Sequence, residues 1–107
     1  MRNIINGFRY DTDKACLIGE ASHSGGGDFS AWRAGLYVTP RARRYFLAGV
    51  GGPMTRWGRH EGPAFGGVTS GGEGIIPLSQ EEALEWAEQH LSTEEIERGF
   101  GEIIQDA

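Results

Sequence analysis

The sequence predicts an α+β domain in which an antiparallel sheet of about four to five strands is covered by two C-terminal helices. Residues 1–78 hold short apolar and aromatic runs separated by turn residues, with sixteen of the eighteen glycines. Residues 79–107 hold two helix-capping patterns, each followed by apolar positions at helical spacing. With strands first and helices last, packing the helices on one face of the sheet buries the apolar surface of both.

The N-terminal segment predicts a β-hairpin. Asn6-Gly7 lies between short apolar segments, and this pair is a strong signal for a tight turn because both central residues of a type I′ turn need positive φ. Residues 15–21 form a short apolar run that we interpret as a strand, since Gly19 and the brevity of the run disfavour a helix. The polar and glycine-rich residues 22–28 predict a flexible loop.

Two further apolar runs predict a second hairpin. Residues 31–39 and 44–50 are rich in β-branched and aromatic residues, and Pro40 starts the basic turn between them. Ten glycines then fall among the 26 residues 49–74, where a helix would cost backbone entropy. We interpret residues 49–74 as a long surface loop.

A partner-binding loop is the alternative interpretation of this glycine-rich stretch, because long ordered loops are often functional. The residues that favour it are Arg56, Trp57, Arg59, His60 and Phe65. The short segment 74–78 follows, and Pro77 predicts either a position at a sheet edge or a lead-in to the next element.

Two capping boxes predict the C-terminal helices. Ser79 with Glu82, and Ser92 with Glu95, each have the spacing at which a hydroxyl and a carboxylate satisfy the first free N–H groups of a helix. The apolar face that we expect to pack on the sheet consists of Ala83, Trp86, Ala87, His90 and Leu91 in the first helix and Ile96, Phe100, Ile103 and Ile104 in the second.

Length and composition bound the class of protein. At 107 residues we expect a single domain. The lone cysteine, Cys16, excludes an internal disulfide, and its apolar neighbours predict a core position. No N-terminal signal is recognisable and no run approaches about 18 apolar residues, so we expect a cytoplasmic protein with no membrane partner.

Charge is divided between the two parts of the chain. Residues 1–78 carry nine Arg or Lys against six Asp or Glu, whereas residues 79–107 carry nine acidic residues against one Arg. The two parts sum to about +3 and −8, in agreement with the net charge of −5. Clustered charge steers association with a partner, so this asymmetry indicates binding.

No recognised catalytic, metal or cofactor motif accompanies this asymmetry. His23, His60 and His90 are scattered, and a zinc site would need four ligands at recognisable spacing. The glycine doublets of 49–74 lack the lysine that a phosphate-binding loop requires. We therefore expect no cofactor and no metal, and an enzyme is only the third hypothesis for function.

Two surfaces are candidate binding sites. The basic one combines the turn residues Arg41, Arg43 and Arg44 with the loop residues Arg56 and Arg59, because guanidinium groups grip phosphates and carboxylates in a two-point geometry. The acidic one is the exposed side of the first helix, where Glu81, Glu85 and Glu88 recur at three- and four-residue spacing. Such a row of carboxylates imitates a phosphate backbone.

Several segments also resemble small proteins carried by bacterial phages, plasmids and conjugative elements. These segments are Ile4-Ile5-Asn6-Gly7, Leu36-Tyr37, Tyr45-Phe46-Leu47, Ile75-Ile76-Pro77-Leu78-Ser79 and Trp86-Ala87. Some proteins of this kind are anti-CRISPR inhibitors. The resemblance implies a class and assigns no site residue. It implies a small inhibitor that binds a protein partner, namely a Cas effector, in a bacterial host cell. The alternative is a nucleic-acid-associated binding module that uses the arginine turn and loop.

Overall fold

A computed structural model describes residues 1–24, 30–52, 55–61 and 68–107, with the backbone alone for residues 59–61 and 68–70. The elements, in chain order, are β1 Arg2–Ile5, β2 Phe8–Asp11, β3 Cys16–His23, β4 Trp32–Val38, β5 Tyr45–Gly51, β6 Arg59–Glu61, β7 Val68–Ser70, β8 Gly72–Leu78, α1 Gln80–His90 and α2 Thr93–Phe100.

A four-stranded antiparallel sheet of order β3-β4-β5-β8 forms the centre of the domain. The two C-terminal helices pack on one face of this sheet. The predicted α+β fold is therefore confirmed. β8 is an outer strand, one of the two positions that Pro77 predicted, and β3 is the other outer strand. No described helix is long and apolar enough to cross a bilayer.

The sheet is buried on both faces where β5 begins. Phe46 and Leu47 are consecutive residues that point to opposite faces, and both are 0% exposed. Leu47 packs in the core under the helices with Leu36 and Phe100. Phe46 packs on the other face, where a second cluster contains Tyr10 of β2. The domain is thus built of three layers: helices, sheet and hairpin.

The β1–β2 hairpin that forms the third layer has the predicted tight turn. Asn6 and Gly7 have φ angles of 52° and 82°, as a type I′ turn requires, and Ile5 pairs with Phe8 across it. Tyr10 meets Phe46 edge to face with ring centroids 5.3 Å apart, which anchors the hairpin to the sheet. This contact places β2 next to the turn between β4 and β5.

That turn confirms the second predicted hairpin. Thr39 and Arg44 close it, with the Thr39 N–H donating to the Arg44 carbonyl at 2.9 Å and the Arg44 N–H donating to Thr39 Oγ1 at 3.0 Å. Arg43 adopts a left-handed φ of 55°, which is uncommon for residues other than Gly and Asn. The basic residues of the turn are therefore held in one defined conformation.

The prediction of a continuous loop over residues 49–74 is wrong for much of this stretch. β5 extends to Gly51, β6 pairs with β7, and β8 begins at Gly72. Gly49 and Gly51 lie in β5, and the Trp57 ring packs against both of them. A Cβ on Gly49 would lie 2.6 Å from Trp57 Cζ2. Glycine is needed at these two positions because it leaves room for the Trp57 ring, and not because the backbone there forms a flexible loop.

β3 corrects two further predictions. Ser22 and His23 continue the strand and pair with Arg33 and Trp32, so only part of the predicted loop 22–28 remains, and residues 25–28 lie outside the described residues. Cys16 is exposed instead of buried. A register shift between Leu17 and Gly19 makes Ile18 the buried residue, and Cys16 stands at the open end of this outer strand.

Candidate functional site

The acidic surface predicted from the sequence rests on α1, whose start is fixed by a complete capping box. The Ser79 N–H donates to Glu82 Oε1 at 2.8 Å, and the Glu82 N–H donates to Ser79 Oγ at 3.1 Å. These hydrogen bonds lower the pKa of Glu82, because they favour its charged form. The first turn of α1 therefore carries a firmly ionised carboxylate.

One side of α1 is packed and the opposite side is exposed. Ala83, Trp86 and Ala87 are buried against the sheet. Because a helix turns by 3.6 residues, Glu81, Glu85 and Glu88 lie together on the side turned away from it, and all three are exposed. The carboxylates are spaced by about one helical turn and form a row of roughly 10 Å at 1.5 Å per residue.

α2 adds acidic residues to the same layer. The sequences of the two helices contain seven Glu and one Arg. Hydrogen bonds from Ser92 lower the pKa of Glu95, with a smaller contribution from the charge of Arg98. Arg98 is turned toward the outer strand, where its Nη2 donates to the Ile18 carbonyl at 3.1 Å. With seven Glu against this one Arg, the two helices keep a net negative charge.

The arginine turn joins a larger basic cleft than the sequence predicted. Arg41 and Arg44 line a cleft of about 300 Å³ together with Arg9 and Lys14, and Arg43 lies exposed in the same turn. The Arg44 guanidinium lies 3.7 Å from the centre of the Phe8 ring, a cation–π contact between turn and hairpin. Sequence analysis missed Arg9 and Lys14, because only the docking of the β1–β2 hairpin brings them beside the turn.

The loop residues proposed as a partner-binding group are not all available to a partner, and Phe65 and the side chain of His60 lie outside the described residues. Trp57 is 5% exposed and belongs to the core, so its ring is not a platform for an external partner. Arg56 is exposed and lies close enough to α1 that its charge contributes to the lowered pKa values of Glu82 and His90. Arg59 lies in β6, paired with Ser70, and its side chain is outside the described residues.

The basic turn and the start of the acidic helix lie at the same end of the sheet, because Tyr45 of β5 pairs with Leu78 of β8. Among the described residues, no three His, Cys, Asp or Glu side chains gather so as to hold a metal ion.

Comparison with protein families, curated proteins and solved structures found no match to the chain.

Proposed function

We propose that this protein is a small inhibitor that binds a nucleic-acid-binding protein through the acidic side of its helix layer. The target class is a Cas effector in the cytoplasm of a bacterial host, so that the protein acts as an anti-CRISPR inhibitor. The observation that carries the proposal is the exposed row of Glu81, Glu85 and Glu88 on a helix whose other side is locked to the core.

A row of this kind suits a basic groove. A nucleic-acid channel is lined with Lys and Arg that neutralise phosphates, and these side chains accept carboxylates as alternative partners. The helix fixes the backbone that carries these carboxylates, so on association ordering is needed for the side chains alone. Electrostatic complementarity then accelerates encounter and excludes partners of like charge. The net charge of −5 acts in the same direction.

The test is plasmid survival in bacteria whose CRISPR system targets that plasmid, with a panel of Cas effectors. Wild-type protein is expected to protect the plasmid against at least one effector, and the triple variant Glu81→Lys, Glu85→Lys and Glu88→Lys is expected to lose protection. The matched control is Glu20→Lys, Glu73→Lys and Glu102→Lys, which changes three exposed carboxylates elsewhere and gives the same net charge. Full protection by the first variant, or no protection by wild type against any effector, contradicts the proposal.

A second candidate function is binding of nucleic acid itself at the basic cleft. The observation that favours it is the convergence of Arg9, Lys14, Arg41 and Arg44 around one opening beside the Phe8 ring. Cations next to an aromatic ring are the elements of a single-strand binding surface. The net negative charge argues against this function, because nucleic-acid-binding domains are normally basic.

A further inference from the structure

A cleft of about 360 Å³ lies on the helix side of the sheet, at the end opposite the basic turn. It is bounded by the first residue of β4, the segment 55–57 and the last turns of α1. All three tryptophans of the chain line it: Trp32, Trp57 and Trp86. This volume is within the range of about 300–1,000 Å³ that small-molecule pockets occupy.

The aromatic walls are held at fixed angles. Trp86 and His90 lie one helical turn apart with ring centroids at 4.8 Å, and Trp32 meets the His90 ring edge to face at 5.1 Å. Trp32 and Trp86 are tilted by 57° with centroids 6.5 Å apart. None of these three pairs is stacked face to face, and Trp32 is only partly buried. These distances are those of aromatic rings in contact, so Trp32, Trp86 and His90 form one rigid wall of the cleft.

The segment that carries Trp57 is fixed by its own hydrogen bonds. Thr55 Oγ1 donates to the Gly52 carbonyl at 2.7 Å and accepts from the Trp57 N–H at 3.2 Å. The Gly52 N–H in turn donates to the Ala31 carbonyl at 2.8 Å, beside the start of β4. These bonds tie both sides of the cleft together, so its shape exists before a ligand arrives.

The polar groups of the cleft select the charge of an occupant. Arg56 and Gln89 line it, and no carboxylate is among its lining residues. The pKa of His90 is lowered, first by burial and second by the charge of Arg56, so the imidazole is neutral at pH 7. Among the lining residues the fixed charge is thus the positive Arg56 guanidinium, while the Glu82 carboxylate that interacts with it lies outside the lining. The lining itself therefore favours an anionic group over a cationic one. An indole-lined cage for a methylated ammonium group would need the opposite arrangement.

We propose that this cleft binds a planar aromatic ligand that carries a negative group, with nucleoside monophosphates as the class it fits. The base stacks on the exposed part of the Trp32 ring, where stacking accepts any base, and the Gln89 amide is available to its polar edge. The phosphate pairs with the Arg56 guanidinium, a charge-assisted contact of two-point geometry. This site is separate from the acidic row of α1, and neither proposal depends on the other.

Intrinsic tryptophan fluorescence tests this proposal directly, because every tryptophan of the protein reports on the cleft. The full chain is titrated with AMP, GMP, CMP and UMP, with excitation at the red edge of the indole band, where nucleotide absorbance is small and is corrected for. Saturable quenching by at least one of them is expected, with weaker binding of the matching nucleoside and none of inorganic phosphate. No saturable change with any of the four at millimolar concentration overturns the proposal.

Two variants separate the phosphate contact from general damage. Arg56→Gln is expected to weaken binding of the monophosphate about tenfold, as the loss of one charge-assisted contact predicts, and to leave nucleoside binding unchanged. Arg43→Gln removes an equal charge from the distant turn and is expected to change neither. Equal binding of the monophosphate by wild type and Arg56→Gln overturns the assignment. Trp32→Phe, which keeps a ring in the wall, is expected to retain binding and checks that the cleft is intact.

Discussion

Gly49 and Gly74 are cross-strand partners of β5 and β8, yet only one of them has room for a side chain. A Cβ on Gly49 would meet Trp57 Cζ2 at 2.6 Å and the Arg33 carbonyl oxygen at 2.7 Å, whereas a Cβ on Gly74 would meet nothing within 4 Å. This cross-strand pair therefore contains one glycine that packing requires and one that it does not.

Gly49→Ala is expected to destabilise the protein by about 1–3 kcal/mol, because the added methyl group overpacks a core ring and a backbone oxygen that cannot both move. Gly74→Ala is the matched control and is expected to be neutral or stabilising by up to about 1 kcal/mol, through loss of unfolded-state entropy. Urea unfolding of both variants measures the difference. Equal midpoints for the two variants would show that Trp57 does not pack on Gly49 in solution.

Trp86→Ala is expected to cost about 3–5 kcal/mol, enough to unfold a domain of marginal stability. The side chain is 8% exposed and joins α1 to the sheet through the main core. Glu85→Ala, at the neighbouring exposed position, is expected to change stability by no more than about 0.5 kcal/mol. A urea midpoint for Trp86→Ala that stays within a kilocalorie of wild type would contradict the assignment of the buried face.

The contact between His90 and the tryptophans predicts a pH-dependent emission. Burial and the charge of Arg56 lower the pKa of His90, so protonation is expected below its ordinary value of 6.5. Protonated imidazole quenches indole, hence fluorescence should fall on acidification with a midpoint under pH 6.5. His90→Gln is expected to abolish this transition, and a midpoint above 6.5 in wild type would refute the packing of this ring.

The same shift has a consequence for stability. The unfolded chain binds the His90 proton more readily than the folded chain does. The stabilisation that the folded state gains from neutral His90 is therefore fully present above about pH 6.5. It is lost as the pH falls through the lower pKa of the folded state. Chemical denaturation of wild type and His90→Gln across this range is expected to show a slope with pH in wild type that the variant lacks.

Salt dependence separates the two candidate functions. If the protein inhibits by binding a protein partner, a gel-shift assay with naked DNA or RNA at physiological salt is expected to show no complex. If the basic cleft binds nucleic acid, a complex should form and weaken steeply with salt, by about one power of salt concentration for each phosphate neutralised. Arg43→Glu with Arg44→Glu should abolish it.

Arg2→Glu with Arg33→Glu is the control, because both positions are exposed and the pair changes net charge equally. A shift at physiological salt that the turn variant abolishes and the control retains would favour nucleic-acid binding over the inhibitor proposal. A shift that both variants lose to the same degree would indicate a response to net charge alone.

Local chemistry accounts for the parts of the fold that the sequence predicted. The Asn6-Gly7 turn follows from the backbone freedom of two residues, and the capping boxes at Ser79 and Ser92 follow from groups three residues apart. Helical periodicity in the same way predicted which side of α1 carries Glu81, Glu85 and Glu88. None of these features depends on contacts distant in sequence.

The remaining features depend on such distant contacts. The sequence predicted Gly49 and Gly51 to be loop residues. Their actual role, to leave room for the Trp57 ring, depends on a contact that only the folded chain makes. The apolar neighbours of Cys16 predicted a core position. The register shift before Gly19, which interrupts the alternation of β3 and leaves Cys16 exposed, is not predictable from those neighbours. Lys14 and Arg44 line one cleft only after two hairpins dock, and no spacing along the chain predicts that approach.

The two outer strands of the sheet are both poor templates for the addition of another strand. On β3, the register shift at Ile18 interrupts the ladder, and the Arg98 guanidinium already occupies the Ile18 carbonyl. On β8, Pro77 has no N–H to offer. Exposed sheet edges invite pairing between chains, and irregular pairing, proline and a covering side chain are the means by which natural sheets prevent it. The central sheet is therefore expected to resist pairing with the sheet of a second copy of the chain.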